Sequence, residues 1–118
     1  MTTETNSVAP HPGAILQHYL NSYGVTRSYL SRATCIPVTR FQKICDAHRG
    51  VTAETALALA RFFARTPPLA GGHRPAEAMW WLVLQATHEL HQTAAKSGWK
   101  ELRGRIRPLD PPPTPCAG

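Results

Sequence analysis

The sequence predicts an all-α domain of five helices. Apolar residues recur at three- and four-residue spacing along most of the chain, which is the period of a helix face. Prolines, glycines and threonines stand where such stretches begin and end, as helix boundaries require. No segment alternates apolar and polar residues as a half-buried strand does, and no internal repeat is present.

The first helix is expected from Pro12 to about Tyr23, with proline in the tolerated first turn. Ile15, Leu16, Tyr19, Leu20 and Tyr23 form its apolar stripe, and Gly24 suits its C-terminal cap. Thr26 is an N-cap for a short second helix to about Ala33, with Tyr29, Leu30 and Ala33 inward. Thr34, Cys35 and Ile36 make a tight connection. Pro37 opens a third helix over 37–46, with Phe41, Ile44 and Cys45 inward and Thr39, Arg40, Gln42 and Lys43 outward. After a loop from Ala47 to Val51, Thr52 caps a fourth helix over 53–64, with Glu54 set against the helix dipole. Ala56, Leu57, Ala60 and Phe63 are its expected core face. Residues 66–75, rich in proline and glycine, can only be a loop. A fifth helix over 76–96 carries a wide apolar face of Met79, Trp80, Leu82, Val83, Ala86 and Leu90. The expected organisation is a flexible lead over 1–10, one folded domain over 11–96, and a basic, proline-rich tail over 97–118.

At 118 residues and 42% hydrophobic, the chain supports one domain with a modest core, not a large enzyme cleft. No apolar run approaches the roughly 20 residues that cross a bilayer. The first ten residues carry no lysine or arginine, so neither a signal nor a transit peptide is expected, and the cytoplasm is the expected location. The three cysteines, Cys35, Cys45 and Cys116, are an odd number without a close pair, which argues against a disulfide framework. Cys35 and Cys45 read as small core residues. The net charge of +6 is concentrated: residues 26–50 carry +4 and residues 96–118 carry +3. Clustered basic charge is the footprint of a polyanion partner, although a merely soluble basic surface would look the same.

Two short helices joined by a tight turn, the second opening with small and basic residues, form a helix-turn-helix pattern. Tyr29, Leu30, Ile36, Phe41 and Ile44 would hold the pair at a fixed angle, and the second helix could then enter a groove about 12 Å wide.

Three segments resemble the HigA-type antitoxins. His11-Pro12-Gly13-Ala14-Ile15-Leu16 is similar to that family's HPGEIL opening. The stretch from Arg49 through Phe63 resembles its RGITADTALRLARxF segment, and Trp81-Leu82-Val83-Leu84-Gln85 resembles its WLNLQ. The resemblance covers about residues 10–90 and implies the five-helix domain shared with lambda-repressor-type and Cro proteins. It implies that Arg27 grips a phosphate, that Val38, Thr39 and Lys43 meet base edges, and that Arg40 lies beside them. His48 and Arg49 would follow the DNA backbone. The chemistry agrees: lysine donates to guanine, threonine bonds or presents a methyl, and valine packs on a thymine methyl. Arg27 and Arg32 also read as solvated charges, and Val38 as a core residue.

The chain departs from the family pattern in four places. Cys35 stands at a turn position usually taken by glycine, which demands a less comfortable backbone or a different turn. The loop 46–50 replaces the family's NGKRG, and extra residues lengthen the loop around 68–74. The first helix shows Ala14, Gln17, His18 and Asn21 where the family is rich in glutamate.

No nucleophile triad, carboxylate pair or glycine-rich phosphate loop is present, so no catalytic residue and no cofactor is expected. The pairs His88/His91 and Cys45/His48 each lack the further ligands that zinc needs, and no metal is expected. Met79, Trp80, Trp81, Leu82 and Leu84 exceed what one small domain readily covers and are the expected dimer interface, the alternative being that the tryptophans finish the core. The expected function is that of a homodimer binding double-stranded DNA at a palindromic operator, neutralising a HigB-type toxin and repressing their operon, without a membrane partner. The toxin is expected on the N-terminal segment and first helix, through His11, His18, Tyr19 and Tyr23. A stand-alone regulator without a toxin, and an interaction module that has lost DNA binding, remain alternatives.

Overall fold

A computed structural model describes residues 9–109. The regular secondary structure of the described residues is all helical: α1 Pro12–Tyr23, α2 Arg27–Thr34, α3 Val38–Cys45, α4 Ala53–Phe62, α5 Ala78–Ala94 and α6 Ser97–Arg105. That is one helix more than expected. The proline-rich segment and Cys116 lie outside the described residues, as does most of the lead.

Local chemistry sets the helix starts. The Gly13 N–H donates to His11 Nδ1 (2.9 Å), the Tyr29 N–H to the Thr26 hydroxyl (3.0 Å), and the Thr55 N–H to the Thr52 hydroxyl (3.4 Å). Each bond satisfies one amide that a helix start leaves without an intrahelical partner. Gly24 ends α1 in the left-handed region at φ 66°. Gly13 answers a close approach, because a Cβ there would stand 1.8 Å from the Ile44 carbonyl oxygen. α1 can therefore lie directly on the end of α3.

The core gathers Leu16, Tyr19 and Leu20 from α1, Leu30 from α2, Phe41 and Ile44 from α3, Leu59 from α4 and Trp81 from α5. Trp81 is fully buried, with its indole N–H donating to the Pro75 carbonyl (2.9 Å). Its ring stacks on Phe63 with centroids 5.9 Å apart, and Tyr19 lies 6.3 Å away. The Tyr19 hydroxyl accepts from the Leu69 N–H (3.0 Å) and shares a hydrogen bond with His73 Nδ1 (2.8 Å), fastening the 66–75 loop to the core.

Several expected core positions are on the surface. Tyr29 is 52% exposed, Leu57 is 65% exposed, and Ala33 is exposed too. Of α2 only Leu30 is buried, and α4 buries Thr55, Ala56, Leu59 and Ala60; Tyr29 meets Phe62 edge-on at 6.3 Å. Cys35 is exposed, not a core residue, and Cys45 is half-buried. The expected basic tail contains α6, whose Trp99 and Leu102 stand at helical spacing, with Ile106 at its C-terminal cap. Charges and nearby prolines masked that short stripe.

Candidate nucleic-acid interface

The turn between α2 and α3 is made by Cys35 in the left-handed conformation, φ 60° and ψ 28°. This is the conformation for which glycine is preferred, so the departure from glycine is met by strain at Cys35 and not by a different turn. Two side chains hold it: the Ser31 hydroxyl donates to the Ile36 carbonyl, and the Thr34 hydroxyl donates back to the Leu30 carbonyl (2.7 Å). Ile36 is buried beneath.

α3 starts at Val38 without a side-chain cap. Its buried side is Phe41 and Ile44, which leaves Thr39, Gln42 and Lys43 exposed and Val38 and Arg40 half-buried. Thr39 and Lys43, one turn apart, share a face as expected. Lys43 has no ion-pair partner among the described residues. Arg40 has one: its guanidinium stands 3.2 Å from Glu54 at the start of α4.

Arg27 is committed within the chain. Its Nε donates to Gln17 Oε1 (2.8 Å), and its terminal nitrogen lies 3.5 Å from Asp46, just beyond α3. The guanidinium thus joins α1, α2 and the end of α3, with part of its charge balanced by a carboxylate. Gln17 and Asp46 escaped the sequence reading, because their role depends on residues 10 and 19 positions from Arg27 meeting at one point.

The 46–50 loop carries His48 and Arg49, both exposed. Ala47 adopts φ 63°, and the His48 N–H returns to the Lys43 carbonyl (2.8 Å), so the chain leaves α3 in a tight reversal. Gln85 of α5 holds the loop from the other side: its Oε1 accepts the Val51 N–H (2.9 Å), and a Cβ on Gly50 would meet its amide at 2.8 Å. Gln85 was recognised only as part of a motif, and no periodic signal marks it as a clamp. Beside the loop, His11 and His88 meet edge to face at 4.9 Å. Burial, and then His88, hold the His11 imidazole below its ordinary pKa, with Glu89 opposing weakly. Burial likewise pushes the Cys45 thiol up.

The expected dimer residues divide. Trp81 lies wholly inside its own chain, which removes it from any surface. Trp80, Leu82 and Leu84 are half-buried against the core, and only Met79 stands well out, at 68% exposure. Val83 and Leu90 are the exposed apolar companions of Met79 at helical spacing. Of the aromatic residues expected to meet a toxin, Tyr19 is fully buried, so it offers no contact surface. Tyr23 is exposed, with its hydroxyl donating to the Pro67 carbonyl (2.8 Å), and His18 is exposed as well. Among the described residues no group of three or more His, Cys, Asp or Glu side chains is placed to hold a metal ion, and no helix is long and apolar enough to cross a membrane.

No family model matches the chain. Virulence-associated protein I of Dichelobacter nodosus is 36% identical over 83 residues, which span 70% of this chain and 67% of that protein. An addiction module antidote protein of the HigA family from Coxiella burnetii is 29% identical and superimposes with a TM-score of 0.72, over 86% of this chain and 99% of that one. The Pseudomonas aeruginosa antitoxin HigA, solved with the higBA promoter, is 27% identical at a TM-score of 0.70, over 86% of this chain and 99% of its own. With the helix pair, its exposed α3 face and these solved antitoxin structures in agreement, the chain belongs to the HigA family of antitoxins.

Proposed function

We propose that this protein is a sequence-specific DNA-binding antitoxin that represses its own HigBA-type operon as a cytoplasmic homodimer. The observation that carries the reading is the outward face of α3, where Thr39 and the unpaired Lys43 stand beside the exposed His48–Arg49 loop. α1 to α5 act as the five-helix repressor-like unit. Thr39, Lys43 and the exposed part of Val38 read bases; Arg40, Arg27, His48 and Arg49 contact phosphates. The Pseudomonas relative solved with its promoter supports this use of the fold. Arg27 must exchange Asp46 for a phosphate, which places it at the positioning end of the interface. The reading needs no cofactor and no catalytic step.

The dimer forms through the α5 stripe of Met79, Val83 and Leu90, which brings two α3 helices onto successive major grooves about 34–36 Å apart. A HigB-type toxin is the protein partner, and the exposed side of α1, with His18 and Tyr23, is its docking surface. A second reading, a stand-alone repressor, is favoured by one feature: Ala14, His18, Asn21 and Ser22 on that exposed side include no carboxylate.

The test measures binding to a duplex from the protein's own promoter and to a scrambled duplex at about 150 mM salt, together with co-purification of the neighbouring gene product. Preference for the promoter with toxin capture supports the full reading. Preference without capture leaves the stand-alone repressor. Equal binding to both duplexes overturns the DNA-binding assignment.

A further inference from the structure

The 46–50 loop and the C-terminal half of α5 enclose an open cleft of about 290 Å³. Arg49 and His48 line one wall, and His88, Gln92 and Lys96 line the other. The Gln85 clamp on Val51 holds the walls together. Neither Arg49 nor Lys96 has an ion-pair partner among the described residues. The acid bordering the cleft, Glu89, is engaged by the Gln85 side-chain amide (2.7 Å). His88 Nδ1 lies 3.0 Å from the Ala9 carbonyl, which can only accept, so that nitrogen carries the proton. His11 Nδ1 accepts from Gly13, so its proton sits on Nε2. Two cations without ion-pair partners among the described residues thus line one cleft, beside the loop that follows α3.

We infer that this cleft takes a phosphodiester of the DNA backbone flanking the bases met by α3, with Lys96 joining Arg49 and His48 as donors. The inference rests on the DNA-binding reading and extends the interface to Lys96, between α5 and α6, where the sequence places the join between domain and tail. Each phosphate neutralised adds about 0.9 to the slope of log affinity against log salt. A contact from Lys96 is therefore read directly in that slope.

The experiment compares the full-length wild type with Lys96→Gln on a long promoter duplex and on one trimmed of the flanking phosphates. Arg65→Gln serves as a charge-matched control, since α4, ten residues and about 15 Å long, separates Arg65 from the cleft. The expected result is a slope lower by about 1.8 for Lys96→Gln on the long duplex, about 0.9 from each protomer of the dimer and alike for matched and mismatched sites. On the trimmed duplex the variant should equal wild type, and Arg65→Gln should leave the slope unchanged on both. Equal slopes for Lys96→Gln and wild type on the long duplex overturn the inference while leaving the DNA-binding reading intact. So does inorganic phosphate perturbing the His48 ring signals in a protein whose DNA slope ignores Lys96, because that marks a site for the free anion only. A wild type that prefers no promoter overturns both.

Discussion

The recognition half of the molecule and the α5 helix divide their residues in parallel ways. In the recognition half the resource is positive charge: Arg27 and Arg40 are paired within the chain to Asp46 and Glu54, whereas Lys43 and Arg49 are left unpaired. In α5 the resource is apolar surface: Trp81 is consumed by the core, whereas Met79, Val83 and Leu90 stay outside. The paired members tie elements of the chain together, and the unpaired members remain exposed. The two regions differ in energy scale. A buried indole contributes through area and packing and cannot be spared, while a surface ion pair contributes little and can be exchanged for a phosphate.

The sharpest test of that division is Trp81→Ala, which should destabilise the fold by about 3–5 kcal/mol. Denaturant unfolding would read it, and a loss below about 1 kcal/mol would place the indole outside the core. Next comes the charge side: Lys43→Ala should cost about 1–3 kcal/mol on the matched operator and relax base preference at one position. Arg27→Ala should weaken all sequences alike and lower the salt slope by about one for each protomer of the dimer, as a positioning contact does. Identical behaviour of the two variants on matched and mismatched duplexes would erase the distinction between paired and unpaired cations.

Met79→Ala should leave monomer stability within about 0.5 kcal/mol, because the side chain is exposed, and should weaken dimerisation by about 1 kcal/mol. Sedimentation over a concentration series checks this, and an unchanged dimer moves the interface elsewhere. The smallest effect concerns His11. Its folded pKa lies below the ordinary histidine value, chiefly through burial, and its Nδ1 must stay unprotonated to cap α1. The stability it contributes is therefore present above the unfolded-state pKa of about 6.5 and is lost as pH falls through the folded value. His11→Asn, which keeps a capping acceptor without titrating, should flatten the stability profile below the unfolded-state histidine pKa of about 6.5. A profile as steep as wild type would assign the dependence to another group.

Where a signal is local, the sequence alone was sufficient. The limits of α1 from Pro12 to Tyr23, its Gly24 cap, and the threonine caps of α2 and α4 depend on residues within a few positions of one another, and the structure has them where expected. The helix-turn-helix pair and the outward positions Thr39 and Lys43 were legible for the same reason. Periodicity marks an apolar stripe but not which neighbour covers it. Only tertiary packing therefore decided that Trp81 goes in while Met79 stays out, or that Leu57 and Tyr29 remain exposed. The pairs Arg27 with Gln17, Arg40 with Glu54 and Val51 with Gln85 join residues 10, 14 and 34 positions apart. Nothing in a linear reading brings such groups within 3.5 Å. The placement of α1 on α3, and of α5 against the loop that follows α3, does so and thereby decides which charges are paired within the chain.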